Sequence, residues 1–230
     1  MRDADVHCLV FPRYITNLVP SERDALAPMQ AWLDDERQRT QRELATVIAS
    51  HRFRTRWLAW LRFVHTQAPR SSRQPAGRQA LSSVAPGFIA VAARRVVRRG
   101  RRIDESSPPE AFHALRKSCK NIRYLIDAYG FTITNKSLKQ TIKHVKNLQN
   151  LLGEYQDLDV HQRTLRDLHE RMMREGTLSG DAHHAMESLL TSLSERAQRV
   201  RANFPPAFAA FRKIHPARSL EASRPMSPDR

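Results

Sequence analysis

The stretch that decides the fold is PEAFHALRKSCKNIRYLIDAY, residues 109–129. Its apolar residues recur at alternating steps of three and four, as on a helix that packs one face into a bundle. These residues are Phe112, Leu115, Cys119, Ile122, Ile126 and Tyr129. Pro108 and Pro109 suit the start of a helix and Gly130 suits its end, so the sequence predicts a helix over 109–129.

A row of cations follows the apolar stripe one residue later along the same stretch. The row consists of His113, Arg116, Lys120 and Arg123, with Lys117 and Tyr124 beside it. One residue is about 100° of rotation on a helix, so these side chains border the buried face. The row either lines a groove between helices or forms a solvated face whose aliphatic stems cover apolar neighbours.

The composition indicates a basic helical protein without a membrane span. The 230 residues include 39 Lys and Arg against 23 Asp and Glu, a formal net charge of +16. Such a surface attracts polyanions, whether nucleic acid, anionic lipid or polyphosphate. The chain has no run of about 18 uncharged apolar residues, and its two cysteines, Cys8 and Cys119, suit a reducing cytoplasmic setting.

Apolar periods along the rest of the chain predict further helices. These helices are expected at 2–19, with a break or bend near Pro12, and at 22–49, 53–64, 86–102, 134–153, 157–174, 179–203 and 207–214. Ser21 and Asp157 are predicted to cap two of them. The large aromatic residues fall on apolar positions and are predicted to be core, including Trp32, Trp57, Trp60, Phe208 and Phe211. That placement argues against a base-stacking platform, which needs exposed rings beside cations.

Two parts of the chain are alike. RDADVH at 2–7 resembles QDLDVH at 156–161, and each is followed by a helix, a long helix and a short aromatic helix. The predicted fold is therefore all-α, a pseudo-duplicated four-helix bundle whose first copy is incomplete. Its predicted parts are a partial first bundle at 2–66, a linker at 67–80, a complete second bundle at 81–214 and a disordered tail at 215–230.

The first copy has no counterpart to residues 81–155, which contain the helices that cover the later helices in the second copy. Apolar side chains of residues 2–66 are therefore predicted to lack part of the packing that would bury them. The residues expected to lack cover include Leu9, Phe11, Met29, Trp32 and Leu33. A longer natural chain, a second copy in a homodimer or a loosely folded 2–66 would each account for this. The repeat offset favours an upstream in-frame extension of about 75 residues.

Two helices next to 109–129 add to its positive charge. Residues 134–153 carry Lys136, Lys139, Lys143 and Lys146 without any acid, whereas solvated helices usually intersperse signs. The last turns of 86–102 carry Arg94, Arg95 and Arg98. Short connections make consecutive helices antiparallel neighbours, so these cations are expected to converge on one elongated surface suited to phosphoryl oxygens.

The sequence shows no pattern that predicts catalysis or a metal site. The histidines lack the His-x-x-x-His spacing of a helical metal site, and no glycine-rich phosphate loop is present. Acids are sparse near the basic rows, which disfavours paired-carboxylate chemistry. We therefore expect a binding protein that is not an enzyme and uses no cofactor.

Two motifs carry a resemblance to a known family. They are the run His113-x-x-Arg116-Lys117-x-x-Lys120-x-x-Arg123-Tyr124 and the lysine-rich KHVKNLQNLLGEYQDLDV at 143–160. Together they resemble the CHAD domain, the conserved-histidine α-helical domain. The resemblance implies two pseudo-symmetric four-helix bundles that bind inorganic polyphosphate in a basic channel. The family also has a His-and-Arg helix in its first half, which this sequence lacks.

The resemblance also implies which residues contact the polymer. They are His113, Arg116, Lys117, Lys120 and Arg123, together with Lys139, Lys143 and Lys146 of the next helix; helix geometry extends the site to Arg94, Arg95 and Arg98. The predicted function is non-catalytic polyphosphate binding in the cytoplasm, in association with polyphosphate granules. The alternative is a nucleic-acid-associated basic helical protein that binds the phosphate backbone. No membrane partner is predicted, and a homodimer is expected if the first copy is truncated.

Overall fold

The computed structural model describes residues 2–16, 18–66, 79–133 and 136–214. Within these ranges the chain is all-α without a strand, which confirms the predicted fold class. The helices are α1 (Arg2–Ile15), α2 (Pro20–Ala25), α3 (Ala27–Ala49), α4 (His51–Thr66), α5 (Leu81–Gly100), α6 (Pro109–Tyr129), α7 (Lys136–Arg174), α8 (Gly180–Ala202) and α9 (Phe204–Lys213). Most of the predicted linker and the whole predicted tail lie outside the described residues. The pseudo-duplication stays a prediction.

One continuous helix replaces two predicted ones. α7 runs from Lys136 to Arg174, where the sequence predicted separate helices at 134–153 and 157–174. Leu152, Tyr155 and Leu158 are all buried, so the apolar face continues across the predicted break. This packing outweighs the roughly 1 kcal/mol that a glycine costs inside a helix, here at position 153. Position 157 therefore lies inside α7, and the predicted cap there is wrong.

The predicted helix at 22–49 is instead two helices. α2 begins at Pro20, and α3 has Pro28 in its first turn, with Leu26 between them at φ −87° and ψ 0°. A proline has no N–H to donate to the preceding turn, which disfavours a helix through Pro28, and the backbone leaves helical geometry at Leu26. Ser21 lies inside α2 and is not its cap. α1, in contrast, continues past Pro12 to Ile15, so the predicted extent to 19 is wrong.

Contacts group the described chain into two compact units. The first contains α1 to α4, the part of α7 from His161 onward and the part of α8 up to Ser194. The second contains α5, α6, the part of α7 up to Val160, the part of α8 from Glu195 and α9. This grouping differs from the predicted bundles because α7 and α8 each belong to both units.

The first unit has a core of its own. Phe11, Met29 and Leu33 are buried, so the predicted lack of cover is wrong for them. Part of the cover comes from α7, whose His161 hydrogen-bonds through Nδ1 to the Tyr14 hydroxyl at 2.6 Å. Leu9, in contrast, is 65% exposed, in agreement with the prediction that it lacks a covering helix.

α4 has no buried residue along its length, all of which the structure describes. Phe53, Trp57, Trp60 and Val64 are 38%, 50%, 52% and 53% exposed. The prediction that Trp57 and Trp60 are core is therefore wrong. Helical spacing identifies an apolar face, but whether a partner covers that face depends on tertiary contacts.

The second unit is organised around aromatic packing. Phe204, Phe208 and Phe211 of α9 are buried, which confirms the predicted core role of the last two. The Phe208 ring lies so close to the Gly100 backbone that a Cβ at position 100 would overlap it. The Phe112 ring of α6 packs 4.7 Å from that of Tyr155 and 5.5 Å from that of Phe204, measured between centroids. These contacts fix the positions of α5, α6 and α9 in this unit.

Candidate anion-binding groove

The buried stripe of α6 fixes the direction in which its cations point. Phe112, Leu115, Cys119, Ile122 and Ile126 are buried, as predicted, while Tyr129 is half-buried. Burial raises the pKa of the Cys119 thiol to about 12, so it is protonated at neutral pH and acts as a small core residue. With this face buried, His113, Arg116 and Lys120 are half-buried at its border, and Arg123 is exposed.

α7 lies antiparallel to α6 along the cation row. Nδ1 of His113 lies 2.7 Å from Oε1 of Gln156, and the ring donates its N–H to that amide oxygen. Further along, Nη1 of Arg123 donates to Oε1 of Gln149 at 3.4 Å. Between these contacts Arg116 faces Gly153, where a Cβ would lie 3.9 Å from its Nε atom. Residue numbers thus fall on α7 as they rise on α6.

An open groove of about 340 Å³ lies over this helix pair. It is lined by Arg116, Lys120, Arg123, Tyr124, Asp127 and Gln149. Nε of Arg123 is 3.5 Å from the Asp127 carboxylate, but both side chains are about half-exposed, so this ion pair contributes little. Among the described residues no carboxylate lies within 4.0 Å of the Arg116 or Lys120 nitrogens. The groove therefore carries positive charge that its own acids do not neutralise.

Aromatic and amide groups complete the groove wall. Nζ of Lys120 lies 6.0 Å from the centroid of the Tyr124 ring, at the limit of a cation–π contact. The Tyr124 side chain is 59% exposed, so it stands open to a ligand. The Gln149 amide adds a hydrogen-bonding group that carries no charge. Such a wall presents charged donors to an anion, with Asp127 beside Arg123 as its one carboxylate among the described lining residues.

The structure brings Arg116, Lys120 and Arg123 together and leaves the other predicted site residues outside the groove lining. His113 lies next to the groove, where its hydrogen bond to Gln156 joins α6 to α7. The remaining predicted side chains are exposed on α5, α6 or α7: Arg94, Arg95, Arg98, Lys117, Lys139, Lys143 and Lys146. The side chain of Lys136 lies outside the described residues.

Arg99 shows that a cation in the same cluster can serve the fold instead. Its Nη1 donates to the Ala114 carbonyl at 3.0 Å and to the Ser118 hydroxyl at 2.6 Å, which ties α5 to α6. The charge of Arg99 is thus engaged by neutral acceptors of the neighbouring helix. Arg94, Arg95 and Arg98 of the same helix are exposed.

Sequence reasoning missed the residues that α7 contributes to the groove. Gln149, Gly153 and Gln156 are uncharged, so they do not stand out beside a lysine row. Their spacing of four and three residues is a signal, because it places all three on one face of a helix.

A comparison with profiles of known protein families matches residues 1–166 to the CHAD domain. The chain belongs to the CHAD family. The match contains α1 to α6 and most of α7, and so includes every residue that lines the groove. CHAD domains are associated in general with polyphosphate binding. A search among curated proteins finds no match.

Replacing Gly153 by alanine should stabilise this CHAD protein by about 0.5–1 kcal/mol, the usual gain inside a helix. The new methyl group would make an ordinary van der Waals contact with Arg116. Urea unfolding of G153A measures the gain, with G87A in α5 as the matched control because position 87 has open space around it. A clear loss of stability in G153A but not in G87A would show that α6 and α7 lie closer than described.

Proposed function

We propose that this chain binds inorganic polyphosphate in the groove between α6 and α7. The observation that carries the proposal is the set of Arg116, Lys120 and Arg123 around one open groove, largely free of competing carboxylates. The general association of CHAD domains with polyphosphate supports the same ligand. A polymer of phosphates without bases suits a wall that offers charged donors.

The roles of the individual cations follow from their geometry. Arginine presents a planar fork to two phosphoryl oxygens, whereas lysine acts as a flexible point charge. We assign the central contacts to Arg116, Lys120 and Arg123, with His113 positioned at one end. A long polymer extends from the groove over further exposed cations of α5, α6 and α7: Lys117, Lys139, Lys143, Lys146, Arg94, Arg95 and Arg98.

We infer that the protein holds the polymer without turning it over. Among the described residues that line the groove, Asp127 is the single carboxylate, and it is exposed beside Arg123. General acid–base chemistry calls for an acid or base held in position at the reacting group, and Asp127 is exposed, without a second acid in the described groove lining. The proposed setting is the cytoplasm, in association with polyphosphate granules.

The rival function is binding of nucleic acid through its phosphate backbone. The same groove cations would serve it, and a net charge of +16 gives nonspecific binding at low salt. The two functions differ in what happens near physiological salt. Contacts with either polymer weaken with salt, and a site fitted to a flexible phosphate chain is expected to prefer polyphosphate over DNA or RNA at equal phosphate concentration.

The test is a titration with labelled long-chain polyphosphate at about 150 mM salt, followed by competition with duplex DNA and single-stranded RNA. We expect polyphosphate to stay bound when either competitor is present at equal phosphate concentration. Displacement by DNA or RNA under these conditions would favour the rival. Phosphate release that persists through purification and is lost in D127N would overturn binding without turnover.

A further inference from the structure

The α4 helix presents a continuous apolar surface to solvent. Phe53, Trp57, Trp60 and Val64, here called the α4 stripe, share one side of the helix and are all 38% or more exposed. Aliphatic residues in the last turns of α3 are exposed as well: Leu44, Val47 and Ile48. Singly exposed apolar residues are ordinary, whereas a contiguous patch of this kind marks an interaction surface.

Arginines flank the α4 stripe, and no acid accompanies them. α4 contains Arg52, Arg54, Arg56 and Arg62, and after Glu43 no Asp or Glu occurs up to the end of α4. At about 100° per residue, Arg54 and Arg56 lie on opposite sides of the stripe. All four arginines are exposed, with Arg62 and the exposed Leu58 on the side of α4 away from the stripe. The surface therefore combines an apolar centre with a positive border.

A comparison with α9 shows that this border is unusual for a helix buried in this protein. Phe204, Phe208 and Phe211 have the same four- and three-residue spacing as Phe53, Trp57 and Trp60, yet they are 3%, 6% and 0% exposed. Between its first two rings α9 carries Pro205, Pro206 and Ala207 at the positions where α4 carries Arg54, Thr55 and Arg56. The small neutral residues between the α9 rings allow another helix of this basic chain to cover them. The arginines between the α4 rings instead favour contact with an anionic surface.

We propose that α4 lies flat on an anionic lipid surface. The rings of the α4 stripe enter the boundary between headgroups and acyl chains, where Trp is favoured. Arg54 and Arg56 extend their guanidinium groups to lipid phosphates at the sides of the helix. This inference is independent of the polyphosphate groove and departs from the sequence-based expectation of no membrane partner. The proposal places α4 on the membrane surface and not across the membrane. No helix in the described ranges is long and apolar enough to cross one.

Two other occupants fit the α4 surface less well. A second copy that met α4 through the same face would bring the arginines beside one stripe against those beside the other, with no acid in either α4 to pair them. A single nucleic-acid strand needs open ring faces, but the rings of Phe53 and Trp57 lie 9° from parallel at 6.4 Å, and those of Trp57 and Trp60 are 5.1 Å apart. Exposed aliphatic residues next to the rings offer bases nothing to stack on.

Tryptophan fluorescence of the full-length chain tests the proposal directly. The chain has three tryptophans, so a W32F background leaves Trp57 and Trp60 of α4 as the reporters. The probes are vesicles of phosphatidylcholine alone and vesicles with about 30% phosphatidylglycerol, each with and without brominated acyl chains. We expect a blue shift and quenching by the brominated anionic vesicles, with partition into neutral vesicles at least roughly tenfold weaker.

Paired variants separate insertion of the rings from simple charge adsorption. Vesicle co-sedimentation measures partition without relying on tryptophan: W57Q/W60Q keeps every charge and should lower partition into anionic vesicles roughly tenfold or more. F88Q/F131Q removes two exposed rings outside α4 and should leave partition unchanged. R116A/K120A/R123A should leave the quenching of the α4 tryptophans in place. Circular dichroism checks that each variant remains folded.

Several results would overturn the lipid assignment. Equal partition of W57Q/W60Q and the parent would mean that charge alone binds the vesicles. A blue shift that grows with protein concentration without lipid would identify a second copy as the occupant. Stronger quenching by single-stranded RNA than by anionic vesicles would identify a nucleic acid. No blue shift with any probe would remove α4 as a docking surface.

Discussion

Replacing Arg116, Lys120 and Arg123 together by alanine should lower the affinity for long-chain polyphosphate about 100-fold near physiological salt. The three side chains line one groove, so a single stretch of polymer meets all of them. Each exposed charged contact contributes a factor of roughly five, and three such factors multiply to about a hundred. The slope of log affinity against log salt should also fall in magnitude by about two units, because fewer counterions are released.

A loss of charge anywhere on the chain would lower affinity somewhat, so the control must remove the same charge elsewhere. R13A/R42A/R174A removes three exposed cations of the first unit, and we expect a loss of about threefold or less. K139A/K143A/K146A tests whether the exposed lysines of α7 extend the site, with an expected loss of roughly tenfold. Equal losses in the groove variant and the first-unit control would show that net charge, and not the groove, holds the polymer.

The sequence predicted those parts of the site that depend only on residues within a single helix. α6 begins at Pro109 and ends at Tyr129, as predicted, because its apolar period, its prolines and its following glycine all agree. Once that period is known, the cation row follows from the rotation per residue. The fold class and the core of the second unit follow from the same kind of local agreement.

The parts that the sequence did not predict depend on how helices meet. Gln149 and Gln156 acquire their roles only because α7 runs unbroken and antiparallel to α6, and an uncharged amide shows no such role in a sequence. The predicted helix at 134–153 ends at Gly153, but the buried residues on both sides of that glycine keep α7 intact. On α4 the apolar period was read correctly as a face, yet no described helix covers that face.

Truncating Phe112 to alanine should destabilise the protein by about 3–5 kcal/mol, the usual range for a buried phenylalanine. The ring is 1% exposed, and it contacts Tyr155 of α7 and Phe204 of α9. It also lies under the guanidinium of Arg201, whose Cζ is 5.0 Å from the ring centroid. One side chain thus joins α6 to three segments of the second unit, so its loss leaves a cavity that no single movement of a helix can close.

Urea unfolding of F112A and F112L against the parent measures this effect, and Y124A supplies the matched control on the same helix. Tyr124 is 59% exposed, so Y124A should change the free energy of unfolding by less than about 0.5 kcal/mol. F112L keeps most of the volume and should lose less than half as much stability as F112A. Because position 112 precedes His113, we also expect F112A to loosen the contact between His113 and Gln156 and to weaken polyphosphate binding in the remaining folded protein. A loss below about 1 kcal/mol in F112A would contradict a core centred on this ring.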